Sequence, residues 1–332
     1  MTAKRLPLSL AALSLPLLLA ACGGGGGDVP RDDRGGGDRS ASVVRNGAAR
    51  SPDGVVIRYA AGGSGPAVVL VHCWCGSSDL WSETVADLVR DHSVVALDLA
   101  GHGRSGRERV DYTVAAFAGD VLATMDAADV DSAVLVGHSL GGPICLEVAR
   151  LAPDRVRGVV GVDNLHMVVY PYTPEQLTGF FAPLHADFAT AAAGFLRALF
   201  PAGVDSALVE QTIARMTMTP PAVGVSAIEN LYRHDLAAAA RVYRRPLYLV
   251  NDDKNPVNLD QWREYGVEPH VTVLHDVGHF PMLTRPGPFR ADLRRAIASI
   301  EGGGPQSFGA AAKDAQLRAE QAARTAPEDQ AR

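Results

Sequence analysis

Cysteine is scarce in this chain. There are 4 in 332 residues, at irregular spacings that fit neither a disulfide scaffold nor a structural zinc site. Aromatic residues make up 6% and charged residues 20%, and the charge is not basic: 31 Lys and Arg face 37 Asp and Glu, a formal net charge of -6. Without a basic excess there is no sign of a face or stripe that would grip nucleic acid, and that partner class is set aside. The N-terminal apolar run Leu6 to Ala21 contains two prolines and is too short for a comfortable membrane span. No P-loop or other cofactor motif is present, because Gly23 to Gly27 lies in a polar stretch rather than between a strand and a helix. No internal repeat is visible. What the chain does have is 47% hydrophobic residues, ample for a large core.

The N-terminus reads as an address. Lys4 and Arg5 precede the apolar run, which ends in Leu19-Ala20-Ala21-Cys22. This layout is that of a secretory signal, and the tetrad resembles the bacterial lipobox. The resemblance implies a signal peptide over 1–21, a lipidated Cys22, and an exported protein held in the bacterial cell envelope, on the periplasmic face or the cell surface. Several acyl chains, at ~0.8 kcal/mol per buried CH₂, would make that anchor firm. Residues 22–42 are rich in Gly, Asp and Arg and nearly free of apolar side chains, as in a flexible tether. Residues 301–332, with a Gly-Gly-Gly-Pro break and no wide apolar stripe, read as a disordered tail. The folded part is expected from about Val43 to Ile300.

Within it, Val55 to Tyr59 reads as a short strand, and Ala67 to His72, Ser93 to Asp98, Ala133 to Val136 and Val156 to Val162 as buried strands. Helical spacing covers Leu80 to Arg90, Val114 to Met125 and Leu140 to Leu151. Continuous apolar strands alternating with helices indicate an α/β domain with a parallel sheet covered on both faces. The alternation stops at His166, where a mostly helical stretch runs to about Tyr243. It resumes with strands at Leu247 to Val250 and Val271 to Leu274 and a helix from Pro288 to Ile300. The helical stretch is therefore an insertion between two strands.

The most informative segment is Gly137-His138-Ser139-Leu140-Gly141. It matches G-x-S-x-G and lies between a strand and a helix. Such a turn holds a serine in a strained conformation above the sheet, and the helix N-terminus aims free N–H groups at developing negative charge. Further motifs are Val71-His72-Cys73-Trp74, the loop Asp98-Leu99-Ala100-Gly101-His102-Gly103-Arg104-Ser105, and Gly278-His279-Phe280. In this order they resemble the α/β-hydrolase superfamily, over residues 55 to 300. The resemblance implies a mostly parallel, doubly wound sheet, with a core of 43–165 and 244–300 and a helical cap of 166–243 inserted after the family's sixth strand.

The resemblance also assigns roles. Ser139 becomes the nucleophile and His279 its general base, since a serine hydroxyl hardly ionises at neutral pH. The orienting carboxylate has two candidates. Asp163 follows the strand Val156 to Val162, whereas Asp253 lies near the commoner family position after Leu247 to Val250, where the expected aspartate falls on Lys254 or Asn255. Asp163 is the first choice and Asp253 the alternative; a helix N-cap opening the insertion is the bland role for Asp163. The oxyanion would be held by the backbone N–H groups of Leu140 and Trp74. Cys73 stands where the family usually has glycine, and strain there would weaken that hole; a short Cys73–Cys75 disulfide is a further possibility. The insertion's aromatic residues imply an apolar pocket, and the expected substrates are small or medium hydrophobic carboxylic esters. Epoxide hydrolases and haloalkane dehalogenases of the superfamily carry aspartate at the elbow, unlike this chain. Lipase, C–C hydrolase or perhydrolase chemistry stays open, as does a non-catalytic small-molecule binder. No cofactor or metal is expected.

Overall fold

A computed structural model describes residues 44–303. The signal, lipidation and tether readings, including Cys22, and the tail reading from residue 304 on lie outside these residues; Glu301, expected in the tail, is instead the last residue of a helix. The elements in chain order are β1 (Arg45–Arg50), β2 (Val56–Gly62), β3 (Ala67–Val71), α1 (Ser82–Leu88), β4 (Ser93–Asp98), α2 (Val114–Ala127), β5 (Ala133–His138), α3 (Gly141–Leu151) and β6 (Val156–Val162). There follow α4 (Pro174–Ala186), α5 (Phe188–Ala198), α6 (Ser206–Met216), α7 (Pro221–Arg233), α8 (Leu236–Val242), β7 (Leu247–Asp252), α9 (Leu259–Glu264), β8 (His270–Leu274), α10 (Pro281–Thr284) and α11 (Pro286–Glu301).

The strands form one sheet in the order β1-β2-β4-β3-β5-β6-β7-β8. β3 to β8 run parallel, while β2 is antiparallel to β4 and to the edge strand β1. The central strands are apolar on both sides: every residue of β5 is buried, as are Val68 to Val71 of β3. That double burial needs cover on both faces. It comes from α2, α3 and α8 packed together, and from α1 with α11, which lies on β6 and β7. The fold is an α/β-hydrolase fold.

β1 was not foreseen. Its sequence Arg-Asn-Gly-Ala-Ala-Arg has no β-branched residue, and it is extended because it pairs along the whole of β2. The expected helix from Leu80 is split. A 3-10 turn at Ser78–Trp81 buries Trp81 completely before α1 begins.

The stretch between β6 and β7 holds α4 to α8, and all but α7, which starts at Pro220-Pro221, are opened by a side-chain cap. Thr173 caps α4 in a reciprocal box with Gln176, Pro174 takes the first turn, and Asp187, Asp205 and Asp235 cap α5, α6 and α8. Since Thr173 caps α4, Asp163 does not open a helix.

Candidate active site

The elbow is built by close backbone approach. A Cβ on Gly137 would lie 2.2 Å from the Gly141 carbonyl oxygen, and one on Gly141 would lie 2.5 Å from that of Val71. Only glycine fits at either place. Between them Ser139 has φ 51°, a left-handed conformation that costs a side-chain-bearing residue of order 1 kcal/mol or more. Neighbours hold it there. Its N–H donates to Val162 O (3.0 Å), its carbonyl accepts from Gly142 N (2.9 Å), and the Asn164 amide donates to Gly137 O (2.7 Å) and Ser139 O (3.1 Å).

Asp163 is also left-handed, at φ 45°. This turns its carboxylate off the end of β6 toward His279. His279 Nδ1 donates to Asp163 Oδ2 at 2.5 Å, and the Asp252 N–H donates to Oδ1 at 3.1 Å. With the proton on Nδ1, Nε2 is left as an acceptor. Burial pushes the Asp163 carboxyl up, but the hydrogen bond and charge of His279, the Asp252 amide and the nearby His166 together hold it below its ordinary value.

The His279 loop is pinned from two sides. Its N–H donates to Leu199 O (3.0 Å), and His138 Nε2 donates to its carbonyl (2.7 Å). Burial, and then the charge of His279, push His138 down to about 3, so it acts as a neutral donor. Phe280 stacks on Phe200 beneath the loop, with ring centroids 4.8 Å apart. Ser139, Asp163 and His279 line one cavity of about 440 Å³, with Trp74, Phe195 and Tyr232 among its walls. The half-buried Ser139 hydroxyl is in no hydrogen bond among the described residues, and it shares the cavity with His279.

The alternative acid lies elsewhere. Asp253 Oδ2 accepts from His275 Nδ1 (2.8 Å) on the exposed rim of β7 and β8, and neither residue lines the cavity. Of Lys254 and Asn255, the two residues at the commoner family position, only Asn255 lines the cavity, and neither offers a carboxylate. His72 accepts from Leu99 N at Nε2 (3.0 Å) and donates from Nδ1 to Cys73 O (2.8 Å), stitching the ends of β3 and β4.

Leu140 is buried at the start of α3, and Trp74 stands in a turn closed by Gly76 N–H to Cys73 O (3.0 Å). Among the described residues neither the Leu140 nor the Trp74 N–H has an acceptor. The strain expected at Cys73 is not there: the left-handed residue of this turn is Cys75, at φ 55°. Cys73 and Cys75 are both free thiols, not a disulfide.

A family model for the alpha/beta hydrolase fold matches residues 66–286. The chain belongs to the α/β-hydrolase family. Among curated relatives, this hydrolase-fold chain is 38% identical over 131 residues to a dihydrolipoyllysine-residue acetyltransferase component of an acetoin cleaving system from Cupriavidus necator, covering 39% of this chain and 34% of that one. It is 38% identical over 96 residues to the esterase YbfF of Escherichia coli, covering 29% and 37%. The match thus spans about a third of the length of these relatives. Two solved structures share the fold: an aryl esterase named as putative from Burkholderia cenocepacia (TM-score 0.66, 22% identity, 76% of this chain and 100% of that one) and a bromoperoxidase from Bacillus anthracis (0.69, 19%, 76% and 100%).

Three parts of this α/β-hydrolase site escaped the sequence reading. His138 fills the free position of the elbow motif, yet it anchors the loop of His279. Asn164 braces the elbow from β6; its only sequence signal is its place beside Asp163. Trp74 contributes its side chain too, donating from Nε1 to Gly224 O in α7 (2.7 Å) and packing edge-on against Phe188 and Phe195 of α5.

Proposed function

We propose that this chain is a serine hydrolase of small or medium hydrophobic carboxylic esters. The observation that carries the reading is the 2.5 Å Asp163–His279 hydrogen bond on the same cavity as a left-handed Ser139. In this mechanism Ser139 Oγ attacks the acyl carbon while His279 Nε2 takes its proton. Asp163 stays ionised and stabilises the imidazolium. The oxyanion sits on the Leu140 and Trp74 N–H groups, and the imidazolium then protonates the departing alcohol. Water, activated by the same histidine, releases the acid from Ser139.

Serine at the elbow favours acyl transfer over the aspartate-ester chemistry of epoxide hydrolases. The non-catalytic alternative drew on a spoiled oxyanion turn, and Cys73 is not in the left-handed region. A series of p-nitrophenyl esters from acetate to decanoate is the test. Hydrolysis by the parent that is abolished in Ser139→Ala is expected, with the chain-length optimum sizing the cavity. Equal rates in both proteins, or none in either, would overturn the reading.

We also propose that Cys22 is the lipidated first residue of the mature protein and that the enzyme works from the cell envelope, tethered by 22–42. Incorporation of labelled palmitate that is abolished by Cys22→Ala is expected; incorporation that persists in the variant would contradict it.

A further inference from the structure

A second cavity, of about 460 Å³, opens between α6, the loop 100–107 and the segment Cys75 to Leu80. Cys75 and Gly76 of the turn line this cavity, whereas Cys73 and Trp74 line the candidate active site. The two cavities have one lining residue in common, the buried Met216. Its apolar lining includes Leu80, Leu208, Met216 and Leu283.

Its charge is the reverse of the chain's acidic balance. Arg104, Arg107 and Arg215 line it against a single acid, Asp79. Arg104 is committed, through its contacts to Asp98 and Ser78. The exposed guanidinium groups of Arg107 and Arg215 enter no ion pair or hydrogen bond among the described residues. Most arginines of this acidic surface do find a carboxylate, as Arg197 finds Glu210 and Arg294 finds Asp87 and Asp91. Two uncommitted forks, one on a core loop and one on the inserted helices, therefore line the same cavity beside Leu80, Leu208 and Leu283. Guanidinium forks match planar or tetrahedral oxyanions with paired, charge-assisted hydrogen bonds, and the volume is that of a small-molecule site.

We propose that this cavity is a binding site for an amphiphilic oxyanion: a carboxylate or phosphate held by Arg107 and Arg215, with its alkyl chain against Leu80, Leu208 and Leu283 and its end against Met216. Occupancy would couple the two cavities through that shared methionine and would bridge cap to core.

Isothermal titration calorimetry of the full-length protein tests this with decanoate, decyl phosphate, decanol and inorganic phosphate as probes. Saturable binding of decanoate or decyl phosphate is expected, weakening with salt, and the tighter of the two identifies the headgroup. Decanol and inorganic phosphate should each bind about tenfold or more weakly, since each lacks half of the recognition. Arg107→Gln with Arg215→Gln should weaken the anion by a similar factor, whereas the paired Lys substitutions keep most of the affinity. Ser139→Ala should bind as the parent does, so the result is independent of ester cleavage. Undiminished binding in the double Gln variant, decanol binding as tightly as decanoate, or no binding of either anion would overturn the proposal.

Discussion

Two aspartate–histidine pairs stand at the carboxyl ends of neighbouring strands. Asp163–His279 joins the end of β6 to the loop after β8, and Asp253–His275 joins the ends of β7 and β8. Their chemistry is the same, a carboxylate accepting from Nδ1. Their surroundings differ. The Asp163 and His279 side chains are 4% and 17% exposed, against 37% and 75% for Asp253 and His275. The first pair faces a cavity that holds a strained serine, and the second faces water. A charge pair acts strongly where water is excluded and is largely screened where it is not. The difference lies not in the residues but in the tethers around them. His138, Leu199 and the left-handed Asp163 fix the inner pair.

The sharpest way to break this comparison is to neutralise each acid in turn. Asp163→Asn should lower kcat on p-nitrophenyl esters by about 10⁴-fold, because the imidazole loses both its tautomer and its counter-charge. Asp253→Asn should leave kcat within about twofold, as for a solvent-screened pair. A large loss at 253 with a small one at 163 would reverse the assignment.

The second target is the brace under the serine. Asn164→Ala removes two hydrogen bonds to the elbow and should cost about 1–3 kcal/mol in urea unfolding. Its kcat should fall more than its KM changes, because the placement of Ser139 rather than the cavity is disturbed. Unchanged stability and rate would show that the elbow holds itself.

Cys73→Gly is a finer probe. Since Cys73 is not left-handed, glycine relieves no backbone strain, and kcat should stay within about threefold of the parent, a step far smaller than the ~10²–10³ lost with one oxyanion donor. A gain beyond tenfold would mean that the cysteine does impair the Trp74 donor.

The smallest effect is on acid stability. Asp163 titrates below its ordinary value in the fold, so its ionised form favours folding. That contribution is complete above the ordinary carboxylate value of about 3.9 and is lost as pH falls through the lower, folded value. The stability gap between parent and Asp163→Asn should therefore narrow below about pH 4. Asp253 is also lowered, through its hydrogen bond to His275, but its exposure predicts no measurable shift of the urea midpoint when it is neutralised, and less still in high salt.

Much of the fold was legible because most buried strands are apolar runs, and a run such as Ala67 to Val71 contains no polar residue. The elbow was legible for a steric reason, since glycines at 137 and 141 bracket a serine between strand and helix. Between Asp163 and Asp253 an order of preference was legible, Asp163 first, but not a decision. Both follow a strand directly, and which of them meets His279 depends on how a loop from beyond β8 folds back over β5 and β6. That return is fixed by His138 and by the carbonyl of Leu199 in the inserted helices, contacts between residues far apart in sequence. β1 was invisible because its conformation comes from its neighbour β2. The strain near Cys73 was placed two residues early, since the family motif marks the turn but not which residue in it takes the left-handed angle.

The most direct test of the central claim is the rate at which a fluorophosphonate modifies the protein, with the labelled peptide identified by mass spectrometry, in the parent and in the two acid variants. Modification of the peptide bearing Ser139 is expected, at equal rates in the parent and Asp253→Asn and far more slowly in Asp163→Asn. No modification of Ser139 in the parent, or a rate that falls with Asp253 and not with Asp163, would contradict the assignment of Ser139, His279 and Asp163 as one catalytic unit.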